Sequence, residues 1–151
     1  MSETIIRNAQ QTDHNIITNN NIALAWETEQ SKLDQNIVAA GVKTAFSDSS
    51  KGFYLIAEIN GNVAGQLMVT REWFDWCNKT IWWIQSVYVL PEFRSNGVYS
   101  SLYGQVLQLA RNDGTINGIR LYVDADNENA KRIYQKSGMR KSHYLLYEFD
   151  L

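Results

Sequence analysis

Hydrophobic and polar positions change their spacing along the first half of the chain, and each change predicts an element. A short strand is expected over residues 4–9. Apolar residues at helical spacing then predict one helix from Thr12 or Asp13 to about Glu29 and another over residues 33–45. The run Asn19-Asn20-Asn21 consists of weak helix formers, so the first helix is expected to be weakened or broken there.

The middle of the chain alternates apolar and polar residues, which is typical of strands. Residues 53–60 and 63–71 predict two strands joined at Asn60-Gly61, a dipeptide favoured in tight hairpin turns. Residues 73–80 are predicted to form a longer connection. Residues 81–89 are apolar on both faces, as expected for a central strand.

Helical and alternating patterns continue to the end of the chain. They predict a helix over residues 98–112, a strand over 119–123, a helix over 127–137 that ends at Gly138, and a last strand over 144–149. The predicted order is therefore β-α-α-β-β-β-α-β-α-β, and no repeat or low-complexity linker interrupts it.

Composition narrows the class of protein. The chain has 151 residues, 44% of them hydrophobic and 20% charged, which predicts a single domain spanning residues 1–151. A net charge of −2 without a basic stripe disfavours nucleic acid as a partner, and no apolar run is long enough to span a membrane. Cys77 is the only cysteine, which fits a reducing cytoplasm. His14 and His143 are isolated, so no metal site is predicted.

The segment Val87-Tyr88-Val89-Leu90-Pro91-Glu92-Phe93-Arg94-Ser95-Asn96-Gly97-Val98-Tyr99 carries the strongest signal for function. It combines a buried strand, a proline turn and a glycine loop that opens a helix. Gly97 lacks a Cβ, so a ligand can approach the backbone closely. The first-turn N–H groups, about Asn96 to Ser100, have no partner inside the helix and favour an anion, and Arg94 adds a positive charge. The segment therefore predicts a diphosphate site.

The same segment resembles motif A of the GNAT superfamily of N-acetyltransferases, V-x-P-x-x-R/Q-x-x-G-x-G/A. Val89, Pro91, Arg94 and Gly97 match, whereas Tyr99 stands where the family has a small residue. A second run, Asn127-x-x-Ala130-x-x-x-Tyr134-x-x-x-Gly138-Met139, resembles motif B of that family with Met139 in place of phenylalanine. The resemblance is firm over residues 53–139.

The resemblance implies a fold, a cofactor and a set of residues. The fold is a mixed, mostly antiparallel central sheet of six or seven strands flanked by about four helices. The cofactor is acetyl-CoA. Tyr134 is implied as the general acid that protonates the departing thiolate, and Asn127 as a helix cap that also faces the pantetheine arm. The implied cofactor-binding residues are Val87, Tyr88, Val89, Arg94, Ser95, Asn96, Gly97, Val98, Tyr99, Ser100, Asn127 and Tyr134.

The residue at position 85 differs from the one that many members of the family have. They carry a glutamate four residues before the valine of motif A, where this chain has Gln85. A carboxamide cannot accept a proton near neutral pH, but Gln85 could orient the amine or a relay water. The base stays unassigned among Glu27, Glu29, Glu72, Asp75, Asp124 and His143. Strand alternation places Val87 and Val89 on the same face as Gln85, with their backbone groups implied to bind the pantetheine and the acetyl carbonyl.

An aromatic cluster follows the predicted third strand and suggests an acceptor site. Trp73 and Trp76, together with Glu27, are predicted to bind an acceptor amine that is cationic before it reacts. Trp82 and Trp83 lie on opposite faces of their strand and are expected to pack in the core.

The sequence therefore predicts an acetyl-CoA-dependent N-acetyltransferase that acts directly on a primary amine of a small molecule. Polyamines, amino acids and aminoglycoside-like compounds stay open as acceptors, as do protein or peptide N-termini. A non-catalytic acetyl-CoA sensor and an interaction domain that has lost the cofactor are the alternatives. Neither nucleic acid nor membrane is expected as a partner. Because family members are often dimers, a homodimer stays open.

Overall fold

A computed structural model describes residues 2–151 and contains one five-stranded mixed sheet. The strand order is β1-β2-β3-β4-β5, in which the first four strands are antiparallel and β5 runs parallel to β4. The strands are β1 (Thr4–Asn8), β2 (Phe53–Ile59), β3 (Asn62–Phe74), β4 (Lys79–Val89) and β5 (Ile116–Leu121). The α-helices are α1 (His14–Glu29), α2 (Gln35–Ser47), α3 (Val98–Asn112) and α4 (Glu128–Lys136).

The prediction of six or seven strands is wrong for the described residues, and the missing strand is the last one. Residues 144–149 form no strand. From Arg140 to Leu151 the one hydrogen bond within the described chain is local, from the Tyr144 N–H to Ser142 Oγ. A strand exists only through hydrogen bonds to a neighbour, and among residues 2–151 this segment has no neighbouring strand.

The predicted long connection over residues 73–80 is also wrong. β3 runs on to Phe74 and β4 begins at Lys79, with Trp73 paired opposite Thr80. The tight turn between them includes Asn78 at φ +49°, in the left-handed region that asparagine tolerates better than most residues. The hairpin is therefore longer than hydrophobic alternation indicates, because its outer residues are polar or solvent-exposed.

Helix α1 continues through the asparagine run that was expected to weaken it. Asn20 is buried, and its side-chain amide donates to Gln66 Oε1 at 3.0 Å. Asn21 Oδ1 accepts from Gln66 Nε2 at 2.9 Å. These tertiary hydrogen bonds outweigh the weak helix propensity of the two asparagines.

The sheet carries a hydrophobic cluster on each face. The larger cluster lies under α3 and includes Leu67, Trp82 and Leu102. The smaller one lies under α1 and α2 around Ile17 and Ile56. Among the described residues, none beyond Ala110 is fully buried. No helix in residues 2–151 is both long and apolar enough to cross a membrane.

Candidate active site

A cleft opens where β4 and β5 separate. β5 pairs with β4 from Thr80 to Ile84, and β4 continues for five more residues to Val89. One edge of β4 from Gln85 to Val89 therefore has no strand partner, although its other edge still pairs with β3. The backbone N–H and C=O groups on the free edge can bind an extended ligand as another strand would.

A bulge in β4 changes which side chains face the cleft. Ser86 has φ +50°, and the register with β3 shifts between Gln66 and Met68. Val87 and Val89 pack against the α3 cluster, whereas Gln85 donates to Thr70 Oγ1 at 2.6 Å on the opposite face. The prediction that Val87 and Val89 share a face with Gln85 is wrong, because the bulge adds one residue to β4 and inverts the alternation.

A buried amide network holds this bulge in place. The Gln66 side chain is fully buried, bonds to Asn20 and Asn21 of α1, and donates to the Ser86 carbonyl at 3.4 Å. Buried amides are costly unless they are paired, so the network connects α1 to the bulge. No motif or spacing in the sequence predicts this network. Its one signal was a glutamine inside the apolar run of β3.

The loop before α3 opens the helix at a glycine, as the sequence predicts. Ser95 and Gly97 adopt left-handed backbone conformations, with φ +65° and +73°, and Gly97 is the N-cap of α3. The Ser101 N–H makes the first intrahelical bond, to the Gly97 carbonyl, so the preceding N–H groups of Val98, Tyr99 and Ser100 have no helical acceptor. A Cβ built at Gly97 would meet no atom within 4 Å. An anion can therefore approach this helix start.

Arg94 ties the loop to α1 and to β4. Its Nη2 donates to Glu27 Oε2 at 2.7 Å, and its Nε donates to the Val89 carbonyl at 2.9 Å. The Tyr88 hydroxyl donates to Glu27 Oε1 at 2.9 Å. Desolvation opposes ionisation of Glu27, but the bonds from Arg94 and Tyr88 prevail and hold its pKa below the usual value. Both Glu27 oxygens, predicted to bind the acceptor, already accept hydrogen bonds within the chain.

Two tyrosines meet on the side of the cleft formed by α3 and α4. The rings of Tyr99 and Tyr134 are in edge-to-face contact with centroids 5.5 Å apart, and Tyr99 also stacks on Tyr103. Burial raises the pKa of the Tyr134 phenol, which keeps it protonated near neutral pH. Burial raises the pKa of Tyr99 as well, and its hydroxyl is buried with no hydrogen-bond partner in residues 2–151. An unpaired buried hydroxyl fits a site that a polar ligand completes.

Asn127 begins α4 as predicted. Its Oδ1 accepts a hydrogen bond from the Ala130 N–H at 3.0 Å, so the prediction of a helix cap is confirmed. Helix α4 carries Tyr134 two turns later, which makes the cap part of what positions the phenol.

A cavity of about 360 Å³ adjoins the Ser86 bulge. The end of α1 and the following loop form its wall, and it is lined by Asn21, Leu24, Ala25, Thr28, Glu29, Leu33 and Ser86. A larger cavity of about 570 Å³ lies between the start of β2 and the end of α3, and Ser86 is not among the residues that line it. The smaller cavity is therefore the better candidate for an acceptor site.

The remaining predicted residues do not line this cavity. Trp73 and Trp76 are 69% and 83% exposed near the tip of the β3–β4 hairpin. Thr80, which pairs with Trp73, is six residues from Ser86, or about 20 Å along the strand. Among the candidate bases, Glu72 contacts Arg120 at 3.4 Å, Asp75 lies in the hairpin turn, Asp124 accepts from the Asp126 N–H, and His143 lies near the end of the chain.

Comparisons with known proteins identify the family. The model of the "Acetyltransferase (GNAT) family" matches residues 15–139. An "Uncharacterized N-acetyltransferase" of Archaeoglobus fulgidus is 31% identical over 88 residues, which are 58% of this chain and 59% of that protein. The chain spans about half the length of the curated relatives that it matches.

Two solved structures show the fold. The crystal structure of a possible acetyltransferase from Clostridium difficile 630 is 38% identical and has a TM-score of 0.92. The match covers 98% of this chain and 97% of that one. The aminoglycoside N-acetyltransferase AAC(6')-Iy in complex with CoA has a TM-score of 0.78 at 16% identity, over 99% of this chain and 96% of that one, and shows likeness of fold alone.

Proposed function

We infer that this chain, which belongs to the acetyltransferase (GNAT) family, transfers the acetyl group of acetyl-CoA directly to a primary amine of a small molecule. The family is one of acetyl-CoA-dependent N-acetyltransferases. The observation that carries the inference is the free edge of β4, which leads from the Ser86 bulge to the Gly97 loop. Acetyl-CoA has its groups in the same order, because an extended pantetheine arm links the acetyl thioester at one end to a diphosphate at the other.

The chain's own groups fit acetyl-CoA along the cleft. The N–H groups of Val98, Tyr99 and Ser100 would hold the diphosphate, with Ser95, Asn96 and Gly97 shaping the loop and Arg94 fixed by Glu27. The β4 backbone from Val87 to Val89 would pair with the pantetheine amides, and Asn127 would face the same arm. When bound, acetyl-CoA supplies an activated thioester carbonyl.

Tyr134 is proposed as the proton donor to the departing thiolate. Its raised pKa keeps the phenol protonated, and its contact with Tyr99 fixes the ring beside the cleft. The Tyr99 hydroxyl, which is otherwise unpaired, would bind a polar group of the same ligand. Gln85 would orient the amine or a water, with its amide held by Thr70 Oγ1.

The acceptor is proposed to be a small cationic amine in the cavity beside Ser86. The Glu29 carboxylate and the Thr28 hydroxyl line this cavity, and a carboxylate on the wall favours an ammonium group. Ser86 lies at the bulge, so an amine in the cavity would reach the end of the free β4 edge. Among the candidate bases, Glu29 is therefore proposed as the proton acceptor, because it lines this cavity.

The predicted binding of the acceptor amine by Trp73 and Trp76 is separate from this cavity. Both side chains lie about 20 Å along the sheet from Ser86, so a contact with the same acceptor would require a long molecule such as a polyamine. Replacing both tryptophans with leucine should weaken binding of a long polyamine but not of a short amine. Equal affinity for the long polyamine in the variant would rule out this role.

The test of the proposed function is thiol release from acetyl-CoA against polyamines, amino acids, aminoglycosides and short peptides. An acceptor-dependent rate with a small amine is expected. Acetyl-CoA binding is measured in the same samples. Tight binding with no release for any acceptor would favour a sensor instead, and release with peptides alone would move the assignment to a peptide N-acetyltransferase.

The cofactor site has its own matched pair of variants. Gly97→Trp should abolish acetyl-CoA binding, because the indole would fill the open space over the helix start. Gly61→Trp is the control, since Gly61 has φ +77° and equally open surroundings in the β2–β3 turn. Loss of binding in both variants, or in neither, would contradict a diphosphate site at the Gly97 loop.

A further inference from the structure

The cavity of about 570 Å³ lies at the other end of α3 from the Gly97 loop, and its volume is in the range of small-molecule sites. Helix α3 begins at that loop, and its last turn lines the cavity. A helix of this length spans about 20 Å, because each residue adds about 1.5 Å along the axis. The cavity is therefore separate from the cleft, and the proposed acetyl transfer makes no use of it.

The two hydrophobic clusters meet at this cavity. Trp82 and Leu109 belong to the larger cluster, and Ala45 and Tyr54 belong to the smaller one, and all four side chains line the cavity. Of these, Ala45, Tyr54 and Trp82 are buried. An apolar group placed here would leave water and contact aromatic rings, which is favourable.

The indole of Trp82 has an unsatisfied hydrogen-bond donor. Its Nε1 is buried and has no partner in residues 2–151, although the ring itself packs edge-to-face against Phe53 with centroids 5.4 Å apart. A buried indole N–H usually finds an acceptor, and one without an acceptor is costly. Because Trp82 lines the cavity, a ligand with an acceptor oxygen could supply the missing partner.

Arg71 supplies a positive charge to the same cavity. Its Nη1 donates to the Ser49 carbonyl at 2.6 Å, and its guanidinium carbon lies 5.3 Å from the centroid of the Phe53 ring. Within residues 2–151 it makes no other hydrogen bond and no ion pair. The guanidinium is therefore held in place with free N–H donors, which suit a carboxylate.

Asp113 supplies a negative charge at the end of α3. Its Oδ1 accepts from the N–H and the hydroxyl of Thr115, at 2.9 and 2.6 Å, whereas its Oδ2 accepts no bond in residues 2–151. The bonds from Thr115, with a smaller contribution from the charge of Arg71, hold the pKa of Asp113 below its usual value. The carbonyl end of a helix also favours positive charge. This side of the cavity therefore suits an ammonium group.

We propose that this cavity binds a free aromatic α-amino acid, with its carboxylate on Arg71, its ammonium on Asp113 and its ring beside Tyr54 and Trp82. Arg71 and Asp113 line one cavity but form no ion pair with each other. A ligand that carries both charges on one carbon satisfies both residues. An anion alone would be repelled by Asp113, and a cation alone by Arg71.

The indole N–H signals of the ¹⁵N-labelled full chain test where the ligand binds. Its five tryptophans give five signals, and Trp82→Phe identifies the signal of Trp82. L-Phenylalanine, added without acetyl-CoA, should move that signal with a dissociation constant on the order of 1 mM or below. The signal of Trp26, an exposed residue of α1, should stay in place. An unmoved Trp82 signal at about 10 mM phenylalanine would overturn the proposal.

Three analogues test the chemistry of recognition by titration calorimetry. Phenylpropanoate lacks the ammonium group, phenylethylamine lacks the carboxylate, and glycine lacks the ring. Each should bind at least about tenfold more weakly than phenylalanine, because each leaves one part of the cavity without its partner. Affinity equal to that of phenylalanine for any of the three would contradict the assignment of an aromatic amino acid.

Arg71→Gln should raise the dissociation constant for phenylalanine at least about tenfold. Arg120→Gln is the matched control, because the Arg120 guanidinium lies 5.9 Å from the Phe74 ring in a similar way but does not line the cavity. Its affinity should equal that of the parent chain. Equal losses in the two variants would mean that the arginine charge acts at a distance, against the proposal.

A second pair of variants blocks the cavity without removing a charge. Ser49→Trp should abolish phenylalanine binding, because Ser49 is an exposed loop residue that lines the cavity. Ser50→Trp is the control, since Ser50 is equally exposed but does not line it. Binding that survives both Ser49→Trp and Arg71→Gln would rule out this cavity.

Amino acids are also open as acceptors, so Glu29→Gln separates the two cavities. Glu29 lines the cavity beside Ser86 and not this one, and phenylalanine should bind the variant as it binds the parent chain. Weaker binding in Glu29→Gln with normal binding in Arg71→Gln would place the amino acid beside Ser86 and overturn the proposal. These measurements follow binding without acetyl-CoA, so their failure would leave the proposed function untouched.

Discussion

Two regions of this chain build one site but are packed very differently. The amino-terminal region, residues 4–112, contains every fully buried residue among those described, and both hydrophobic clusters are centred there. The carboxy-terminal region, residues 113–151, contains none, although it supplies Asn127 and Tyr134. The first region contains the buried core, whereas in the second an edge of β5 and several apolar side chains stay exposed.

The difference shows where stability and chemistry reside. The Gly97 loop and the β4 bulge belong to the amino-terminal region and are held by Glu27 and Gln66. The phenol proposed to donate a proton lies on α4, a helix of nine residues with no fully buried side chain. Elements with few buried contacts open at low free energy. The region that carries Tyr134 is therefore expected to open more readily than the core around Leu102.

The largest expected effect is on global stability and lies in the amino-terminal region. Leu102→Ala should lower the free energy of unfolding by about 2–5 kcal/mol, because Leu102 on α3 is fully buried in the larger cluster. Ile133→Ala on α4 is the matched change in the other region and should cost about 1 kcal/mol, since that side chain is only half-buried. Urea unfolding measures both. Equal losses would mean that the two regions are packed alike.

Tyr134→Phe should have a large effect on rate and little effect on stability, in contrast to Leu102→Ala. Turnover should fall about 100-fold, the scale of general acid catalysis, while acetyl-CoA affinity and the unfolding midpoint stay near those of the parent chain. Tyr103→Phe is the control, because Tyr103 is a more deeply buried tyrosine that stacks on Tyr99. If both variants retained full turnover, Tyr134 would have no role as an acid.

Gln66→Leu tests whether the amino-terminal region shapes the site through the bulge. Removing the Gln66 amide leaves Asn20 and Asn21 without a buried partner and should cost about 1–3 kcal/mol of unfolding free energy. The Ser86 carbonyl also loses a donor, so acetyl transfer should weaken. Gln85→Leu is the comparison variant, because Gln85 is exposed on β4 and pairs with Met68, two residues from Gln66. This change should alter the free energy of unfolding by no more than about 0.5 kcal/mol.

Acid sensitivity should produce the smallest effect, again in the amino-terminal region. A hydrogen bond from Arg7 holds the pKa of Asp13 below its usual value, so the unfolded chain binds this proton more readily. The Asp13 carboxylate therefore contributes its full stabilisation above the ordinary aspartate pKa of about 3.9. That stabilisation declines as the pH falls through the lower pKa of the folded state. Asp13→Asn should remove this part of the acid dependence. Asp150→Asn, at an exposed position, should leave it unchanged.

Local patterns predicted much of this molecule. The Asn60-Gly61 turn, helix α3 and the cap at Asn127 follow from a few adjacent residues, and the structure has all three. Motif A likewise predicted a glycine loop that opens a helix, and Gly97 is the N-cap of α3. Such features depend on backbone geometry over four or five residues, which the sequence displays directly.

Tertiary structure alone decided the details of the cleft. The bulge at Ser86 depends on Gln66 and on two asparagines of α1, more than 40 positions earlier than Gln66. The partners of Glu27 are more than 60 positions away, and nothing in its neighbourhood predicts them. The free edge of β4 exists because β5 stops pairing at Ile84.

The carboxy-terminal segment shows the limit most clearly. Alternation in residues 144–149 determined that this stretch suits a strand, because side-chain direction is a local property of extended backbone. Whether it becomes a strand depends on a partner edge, and hydrogen bonds to that edge are not a property of the segment. Local patterns thus predict the elements and the motifs, whereas tertiary contacts set how the elements pair and where the cleft opens.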